Sequence, residues 1–177
     1  MISIVFDTET TGLDPLNDRI VEIAVIVTDW KTVYGALSTY INPTIPFDNP
    51  VNGLNNSDVK DSPTFGEICP ILLPLLVFAD EFVAYNYSFD ANFLREELAR
   101  CALRLPRRAI YDPMKICGRR KLLETCKLHN IFTDDIEWHR AFGDTLATFR
   151  LAAKLKAANQ EEVSVGNEEI TLGPRFQ

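Results

Sequence analysis

A short apolar run near the N-terminus ends in two acidic residues that are one position apart. The run Ile4-Val5-Phe6 is followed by Asp7, Thr8 and Glu9. In a β-strand, side chains alternate between the two faces of the sheet, so Asp7 and Glu9 would lie on one face and Thr8 on the other. Two carboxylates held this close repel each other unless a cation lies between them, and oxygen-only ligands suit Mg²⁺ or Mn²⁺. Taken alone, the motif is more typical of a strand that ends in solvated acids.

The composition is that of a globular domain rather than of a membrane or disulfide-rich protein. The 177 residues are 46% hydrophobic and 24% charged, which suits a single domain with a sizeable core. No apolar run approaches the ~20 residues of a membrane span, and no signal-peptide pattern is present, so we expect a cytoplasmic protein without membrane contact. The four cysteines are scattered without zinc-binding or paired spacing, which predicts reduced and mostly buried thiols.

Charge is distributed unevenly along the chain. The net charge is −7, but residues 95–127 hold ten basic and four acidic residues, a local charge of +6. Such a stretch suits contact with a phosphate backbone, and it equally suits a solvated helix face. The acids are concentrated in the first 94 residues, where the metal-binding motif lies.

Apolar periodicity and turn signals predict alternating strands and helices. Three strands joined by short turns come first, namely the strand that ends in the two acids, then 20–28 and 33–41. Residues 42–62 are rich in Asn, Asp, Pro and Gly, which predicts a loop. The later predicted elements are a strand at 81–85, a helix from about 89 to 103, a strand at 109–111, helical pieces over 113–129, and a last helix from 143 or 144 to about 157.

The helix predicted after the loop contains two prolines. Ser62 is its predicted cap and Pro63 its first residue, and Pro70 and Pro74 predict a kink or a broken start. A meander of three strands followed by β-α-β-α units implies the α/β class, with a mixed sheet of three antiparallel strands and then parallel strands, flanked by helices. Ligands in such sheets bind near the ends of the central strands.

Two further polar segments follow predicted structural breaks. Asp90 closes the segment Asn86-Tyr87-Ser88-Phe89-Asp90, and Asp144 follows His139 by five residues. Each acid would open a helix, where an acidic residue also stabilises the helix dipole without any catalytic role. His139 lies in a polar loop, which favours a titrating role, whereas His129 near a helix end is more typical of a structural residue.

Together, these segments resemble the DEDDh 3′–5′ exonucleases, a group that includes the proofreading subunit of bacterial replicative polymerases, ribonuclease T and the oligoribonucleases. The resemblance rests on Asp7-Thr8-Glu9-Thr10-Thr11-Gly12-Leu13, Asn86-x-x-Phe89-Asp90 and His139-Arg140-Ala141-x-x-Asp144, and it extends in order from about residue 2 to residue 155. It implies a ribonuclease H-like fold and an exonuclease domain over residues 1–157, followed by a tail at 158–177 that is either disordered or partner-binding.

The resemblance also implies a two-metal hydrolysis of phosphodiester bonds from the 3′ end. Asp7, Glu9, Asp90 and Asp144 would hold two divalent cations, Mg²⁺ or Mn²⁺, and His139 would be the general base. Residues that would contact the terminal nucleotide are Thr10, Thr11, Gly12, Leu13, Tyr85, Asn86 and Phe89. Phe89 also fits a helix core, and Phe93 is assigned to the core.

Two positions depart from the family pattern. Tyr85 and Asn52 stand where the family often has histidine, and the segment after Asp112 is shorter than in many relatives. Neither position would hold a metal, so we expect altered substrate contacts rather than lost activity.

The predicted activity is release of nucleoside 5′-monophosphates from the 3′ end of single-stranded DNA, as in proofreading or DNA repair. One alternative is an exoribonuclease of the ribonuclease T or oligoribonuclease kind, because 2′-hydroxyl recognition depends on contacts that sequence does not show. Another is a non-catalytic module that binds a polymerase or nucleic acid. A DNA polymerase subunit and a second copy of the chain are the protein partners that the resemblance suggests.

Overall fold

The computed structural model describes residues 1–49 and 51–168, with side chains up to Asn159. Its main sheet has five strands in the order β3-β2-β1-β6-β7. β1 pairs antiparallel with β2, and β2 with β3, while β6 is parallel to both β1 and β7. The strands are β1 Ser3–Thr10, β2 Ile20–Thr28, β3 Val33–Tyr40, β6 Glu81–Val83 and β7 Ala109–Tyr111, and a small hairpin is formed by β4 Asp48–Asn49 and β5 Leu54–Asn55.

Helices cover both faces of this sheet, which confirms the predicted mixed α/β architecture. Ile4 and Phe6 belong to the larger core, with buried residues of α2 and α3. Val5 faces the other way and packs with Ala152 of α6. The helices are α1 Asn56–Val59, α2 Phe65–Phe78, α3 Tyr87–Arg100, α4 Pro113–Ile116, α5 Leu122–Leu128 and α6 Ala141–Glu168. In the described part of the chain, none of them is both long and apolar enough to span a membrane.

Helix α2 begins two residues later than its sequence predicted. Thr64 rather than Ser62 is the N-cap, because the Glu67 carboxylate accepts a hydrogen bond from the Thr64 backbone N–H at 2.8 Å and forms a capping box. The predicted broken start is wrong, since the helix is continuous through Pro70 and Pro74. Both prolines are exposed.

Other elements also differ from the prediction. The region predicted as a loop at 42–62 contains the β4–β5 hairpin and α1. Strand β6 ends at Val83 rather than at Tyr85. Helix α6 starts at Ala141 and its backbone continues to Glu168, past the predicted end near residue 157. The division into a domain and a tail at 157/158 stays a prediction, and residues 169–177 lie outside the described part of the chain.

Candidate active site

The alternation of side chains along β1 separates the acids from the hydroxyl between them. Phe6 faces α2 and α3, so Thr8 points to the same side, and Asp7 and Glu9 point towards α6. Thr8 is buried, whereas both acids are partly exposed. The strand therefore delivers two carboxylates to the face that α6 covers.

Helix α6 supplies the third carboxylate. Asp144 lies in its first turn, and α6 packs across β1 and β2. One oxygen each of Asp7, Glu9 and Asp144 lie within 4.8 Å of one another. Asp144 thus converges with the two acids of β1 at one end of the central strand. The sequence analysis predicted a metal site of four acids that also includes Asp90, and metal binding by all four stays a prediction.

Asp90 approaches β1 from the opposite side. It is 1% exposed, and its Oδ1 accepts hydrogen bonds from both the backbone N–H and the hydroxyl of Thr8, at 2.9 and 2.8 Å. Asn86, the N-cap of α3, has a left-handed backbone with φ of 64°, and its N–H donates to Asp112 Oδ1 at 3.1 Å. Asp90 lies outside the group of three convergent acids. It is bonded to Thr8, which lies between Asp7 and Glu9 on β1.

The pKa values of all four acids are raised. Burial raises the pKa of Asp7 well above its usual range, and the charges of Asp90 and Asp144 raise it further. Burial also raises the pKa of Glu9 to about 7, although a hydrogen bond from Asn52 opposes the change. The pKa of Asp90 is raised to about 7 and that of Asp144 to about 6, in both cases mainly by desolvation. Such values indicate carboxylates arranged without a compensating positive charge.

The donor set fits a hard divalent cation. Asp144 Oδ1 is buried and has no hydrogen-bond partner among the described residues. A buried carboxylate oxygen without a partner is costly, and a cation between the three acids would both pair it and lower the raised pKa values. The ligands are all oxygen atoms, which suits Mg²⁺ or Mn²⁺.

His139 is placed beside these acids by a strained turn. Its φ is +60°, its side chain is exposed, and its backbone N–H helps to lower the pKa of Asp144. Gly143 allows the turn to close on the helix, because a Cβ at this position would lie 1.9 Å from the carbonyl oxygen of Glu137. The turn therefore carries the histidine to the entrance of the acidic cluster.

Comparison with known proteins decides the family. Residues 4–152 match the model of the RNase T family, which is described as an exonuclease family. The chain belongs to this family. RNase T family membership agrees with the exonuclease motifs that the sequence analysis identified.

Curated relatives of this RNase T family chain include polymerase components. The PolC-type DNA polymerase III of Caldanaerobacter subterraneus subsp. tengcongensis is 30% identical over 168 residues, which cover 89% of this chain and 12% of that protein. The DNA polymerase III subunit epsilon of Treponema pallidum is 37% identical over 99 residues, which cover 54% of this chain and 46% of that protein. The chain thus spans less than half the length of either relative.

Solved structures show the same fold. Exonuclease I of E. coli in complex with a dT13 oligonucleotide superimposes with a TM-score of 0.78 at 17% identity, over 93% of this chain and 43% of that chain. This similarity confirms the ribonuclease H-like arrangement of the sheet and helices.

In this RNase T family chain, the β1–β2 loop is fixed internally. The Thr10 hydroxyl donates to the Gly12 carbonyl oxygen at 2.6 Å, and the Thr11 hydroxyl donates to Asp18 Oδ1 at 2.9 Å. A Cβ on Gly12 would meet the Asp18 carboxylate, so a larger residue there would displace this side chain from its bond with Thr11. Leu13 is 83% exposed. Contact of these residues with a nucleotide stays a prediction.

A cavity of about 540 Å³ opens beside His139 and Asp144. The Tyr85 hydroxyl donates to the Arg120 carbonyl oxygen at 2.7 Å, so Tyr85 supports one wall. Phe89 packs on Phe93 with ring centroids 5.0 Å apart. Substrate contact by Tyr85, Asn86 and Phe89 stays a prediction. The cavity is lined by Tyr85, Asn86, Met114, Arg119, Arg120, Lys121, Leu122, Leu123, Trp138, His139 and Asp144.

Sequence reasoning missed two features of the site. Asn52, noted only as a departure from the family pattern, donates its Nδ2 to Glu9 Oε2 at 3.1 Å. The basic stretch is divided by the fold, since Arg119 and Lys121 border the cavity while Arg107 lines a separate pocket at β7. The charge count indicated a basic surface, but sequence spacing held no signal for which of its residues reach the acids.

Proposed function

We propose that this chain is a metal-dependent 3′–5′ exonuclease that hydrolyses phosphodiester bonds at the 3′ end of single-stranded DNA and releases nucleoside 5′-monophosphates. The observation that carries the proposal is the convergence of Asp7, Glu9 and Asp144 within 4.8 Å, with a buried and unpartnered Asp144 oxygen beside His139. Two divalent cations held there would supply Lewis acidity and an activated water.

Each residue has a distinct part in this reaction. Asp7, Glu9 and Asp144 would hold the cations, and Asp90, which is bonded to Thr8, would take part through its second oxygen or through bound water. Asn52 orients the Glu9 carboxylate. The exposed imidazole of His139 accepts the proton of the attacking water and releases it to solvent.

The proposed direction of hydrolysis and the proposed DNA substrate are supported by the names of relatives. The 3′-5′ exonuclease DinG of Bacillus subtilis is 33% identical over 117 residues, which cover 64% of this chain. Two other relatives are a PolC-type DNA polymerase III and a DNA polymerase III subunit epsilon. We extend these properties to the chain because its acids and histidine have the arrangement described above. Association with a DNA polymerase and self-association stay predictions.

The test is a strand-shortening assay on 5′-labelled single-stranded DNA and on RNA of the same sequence, with Mg²⁺, Mn²⁺ or EDTA. Stepwise shortening from the 3′ end with release of 5′-monophosphates is the expected result. Asp7→Asn and EDTA should abolish it, whereas Asp61→Asn, which removes an exposed acid, should leave it intact.

Other outcomes would identify the alternatives. Faster shortening of RNA than of DNA would make the chain an exoribonuclease. An inactive but folded wild-type chain would refute the enzymatic proposal and leave a module that binds a polymerase or nucleic acid.

A further inference from the structure

A buried ion pair joins β2 to the residue after His139. Glu22 is 4% exposed and lies opposite Glu9 across the β1–β2 ladder. Arg140 bonds both oxygens of Glu22, from Nε to Oε2 at 3.1 Å and from its second terminal nitrogen to Oε1 at 3.3 Å. The planar guanidinium suits this two-point contact in a way that lysine does not.

Two additional contacts hold the same segment. The backbone N–H of Ala141 donates to Glu22 Oε2 at 3.2 Å, and the guanidinium of Arg140 lies 4.6 Å from the centroid of the Tyr40 ring. Tyr40 lies opposite Glu22 in the β2–β3 ladder. Contacts from β2 and β3 thus hold the two residues that follow His139.

The position of the His139 side chain depends on the contacts that hold the backbone beside it. Among the described residues, no hydrogen bond holds its imidazole, and its backbone has the left-handed conformation with φ of +60°. A polar side chain on such a turn is positioned by what fixes the backbone on either side of it. The contacts of Arg140 and Ala141 with Glu22 fix the C-terminal side.

The buried negative charge of Glu22 is electrostatically unfavourable so close to the acidic cluster. Its charge raises the pKa values of Asp7, Glu9 and Asp144, so it adds repulsion to the acidic cluster without belonging to the group that converges on a cation. Arg140 neutralises it locally. A buried ion pair contributes little net stability compared with apolar packing, which points to a role other than stability.

We infer that Glu22 and Arg140 are positioning residues that hold His139 at the acidic cluster, an inference that rests on the proposed exonuclease activity. They touch neither the scissile phosphate nor a cation, and act through the backbone of residues 139–141. A misplacement of about 1 Å in a reacting group costs on the order of 10²-fold in rate.

The test is a double-mutant cycle between Arg140→Gln and His139→Ala, measured as kcat on single-stranded DNA. In the wild-type background, Arg140→Gln should lower kcat by roughly 10- to 100-fold with KM nearly unchanged. In the His139→Ala background, it should lower kcat by less than about 3-fold, because the group that it positions is gone. Arg140→Lys should recover little, since lysine cannot bond both oxygens.

Lys156→Gln is the matched control. Lys156 is on the same helix and bonds Glu81 at 2.9 Å, and both pairs are similarly buried, with side chains 17% and 8% exposed against 22% and 6% for Arg140 and Glu22. Lys156→Gln should lower the melting temperature as much as Arg140→Gln does and leave kcat unchanged. Equal losses of kcat from Arg140→Gln in both backgrounds would overturn the inference.

Hydrogen exchange gives a readout that does not require activity. Backbone amides of residues 137–141 should exchange faster in Arg140→Gln and in Glu22→Gln than in Lys156→Gln. Equal exchange in all variants would overturn the inference even if the wild-type chain were inactive. An inactive wild-type chain with the expected exchange pattern would refute the proposed function alone and support the anchorage.

Discussion

Thr8 binds Asp90 twice, through its backbone N–H at 2.9 Å and through its hydroxyl at 2.8 Å. The two bonds join β1 to α3 and leave one Asp90 oxygen for other partners. They also partly oppose the desolvation that raises the pKa of Asp90 to about 7. The small residue between the two strand acids therefore supports the fourth acid from the opposite face of the sheet.

We expect Thr8→Val to weaken cation binding without unfolding the chain. Loss of one donor to a buried carboxylate costs about 1–3 kcal/mol and raises the pKa of Asp90 further, so the dissociation constant for Mn²⁺ should increase and the pH at which activity appears should move upwards. Isothermal titration calorimetry with Mn²⁺ measures the first effect. Thr148→Val is the control, because the buried Thr148 hydroxyl has no partner in the described residues.

The metal-free chain should become less stable as the pH rises from about 4 to about 7. The pKa values of Glu9, Asp90 and Asp144 are about 7, 7 and 6 in the folded state, so the folded chain binds more protons than the unfolded chain in this interval. Its free energy of unfolding therefore falls with rising pH and is lowest above the folded-state pKa values.

Thermal unfolding with and without Mg²⁺ at pH 5 and pH 8 checks this dependence. The increase in melting temperature on addition of Mg²⁺ should be larger at pH 8, where the acids are ionised. Asp7→Asn should raise the stability of the metal-free chain by roughly 1–3 kcal/mol, since it removes a repelled buried charge, and should eliminate most of the Mg²⁺ gain. A metal-free chain that is more stable at pH 8 than at pH 5 would contradict the raised pKa values of these acids.

His139→Gln should lower kcat by about 10²- to 10⁴-fold and leave KM for single-stranded DNA nearly unchanged, as expected for loss of a general base. Single-turnover rates check the result, because they report the chemical step separately from product release. His129→Gln is a natural control, since His129 is the other histidine of the chain and caps the C-terminus of α5. Equal rates for both variants would remove His139 from the mechanism.

Gly143→Ala should reduce both stability and activity. The added Cβ would lie 1.9 Å from the Glu137 carbonyl oxygen, so the turn that carries His139 must move away from α6. We expect a loss of roughly 2–4 kcal/mol in urea unfolding together with a lower kcat. Gly66→Ala in α2 meets only the Cys101 sulfur at 3.9 Å, and should be neutral or stabilising because alanine favours helix.

Arg119 and Lys121 should contribute to binding of the strand rather than to the reaction. In the described residues neither side chain forms an ion pair, and both border the cavity beside His139. Replacing both by alanine should raise KM and leave kcat unchanged. The slope of log KM against log salt concentration should decrease by about 1–2. Arg104→Ala with Arg107→Ala removes two exposed charges of the same basic stretch and should leave this slope intact.

The positions of the four acids were predictable because each depends on a local rule. Alternation along β1 places Asp7 and Glu9 on one face, and helix starts place Asp90 and Asp144 in first turns. The predicted start of α2 at Pro63 is two residues early, because the capping box of Thr64 and Glu67, which is also a local signal, sets the first turn. The end of α6 was misplaced because apolar periodicity fades before the helix does.

Contacts between segments that are distant in sequence follow no such local rule. Asn52 reaches Glu9 across 43 positions, and Arg140 reaches Glu22 across 118, so neither pairing has a periodicity that sequence can show. The sequence by itself determined the five strands of the main sheet, the larger helices and the positions of the four acids along them. Only the tertiary structure decided which neighbours orient Glu9 and anchor the turn of His139, because those contacts exist only once β2, the hairpin and α6 have packed together.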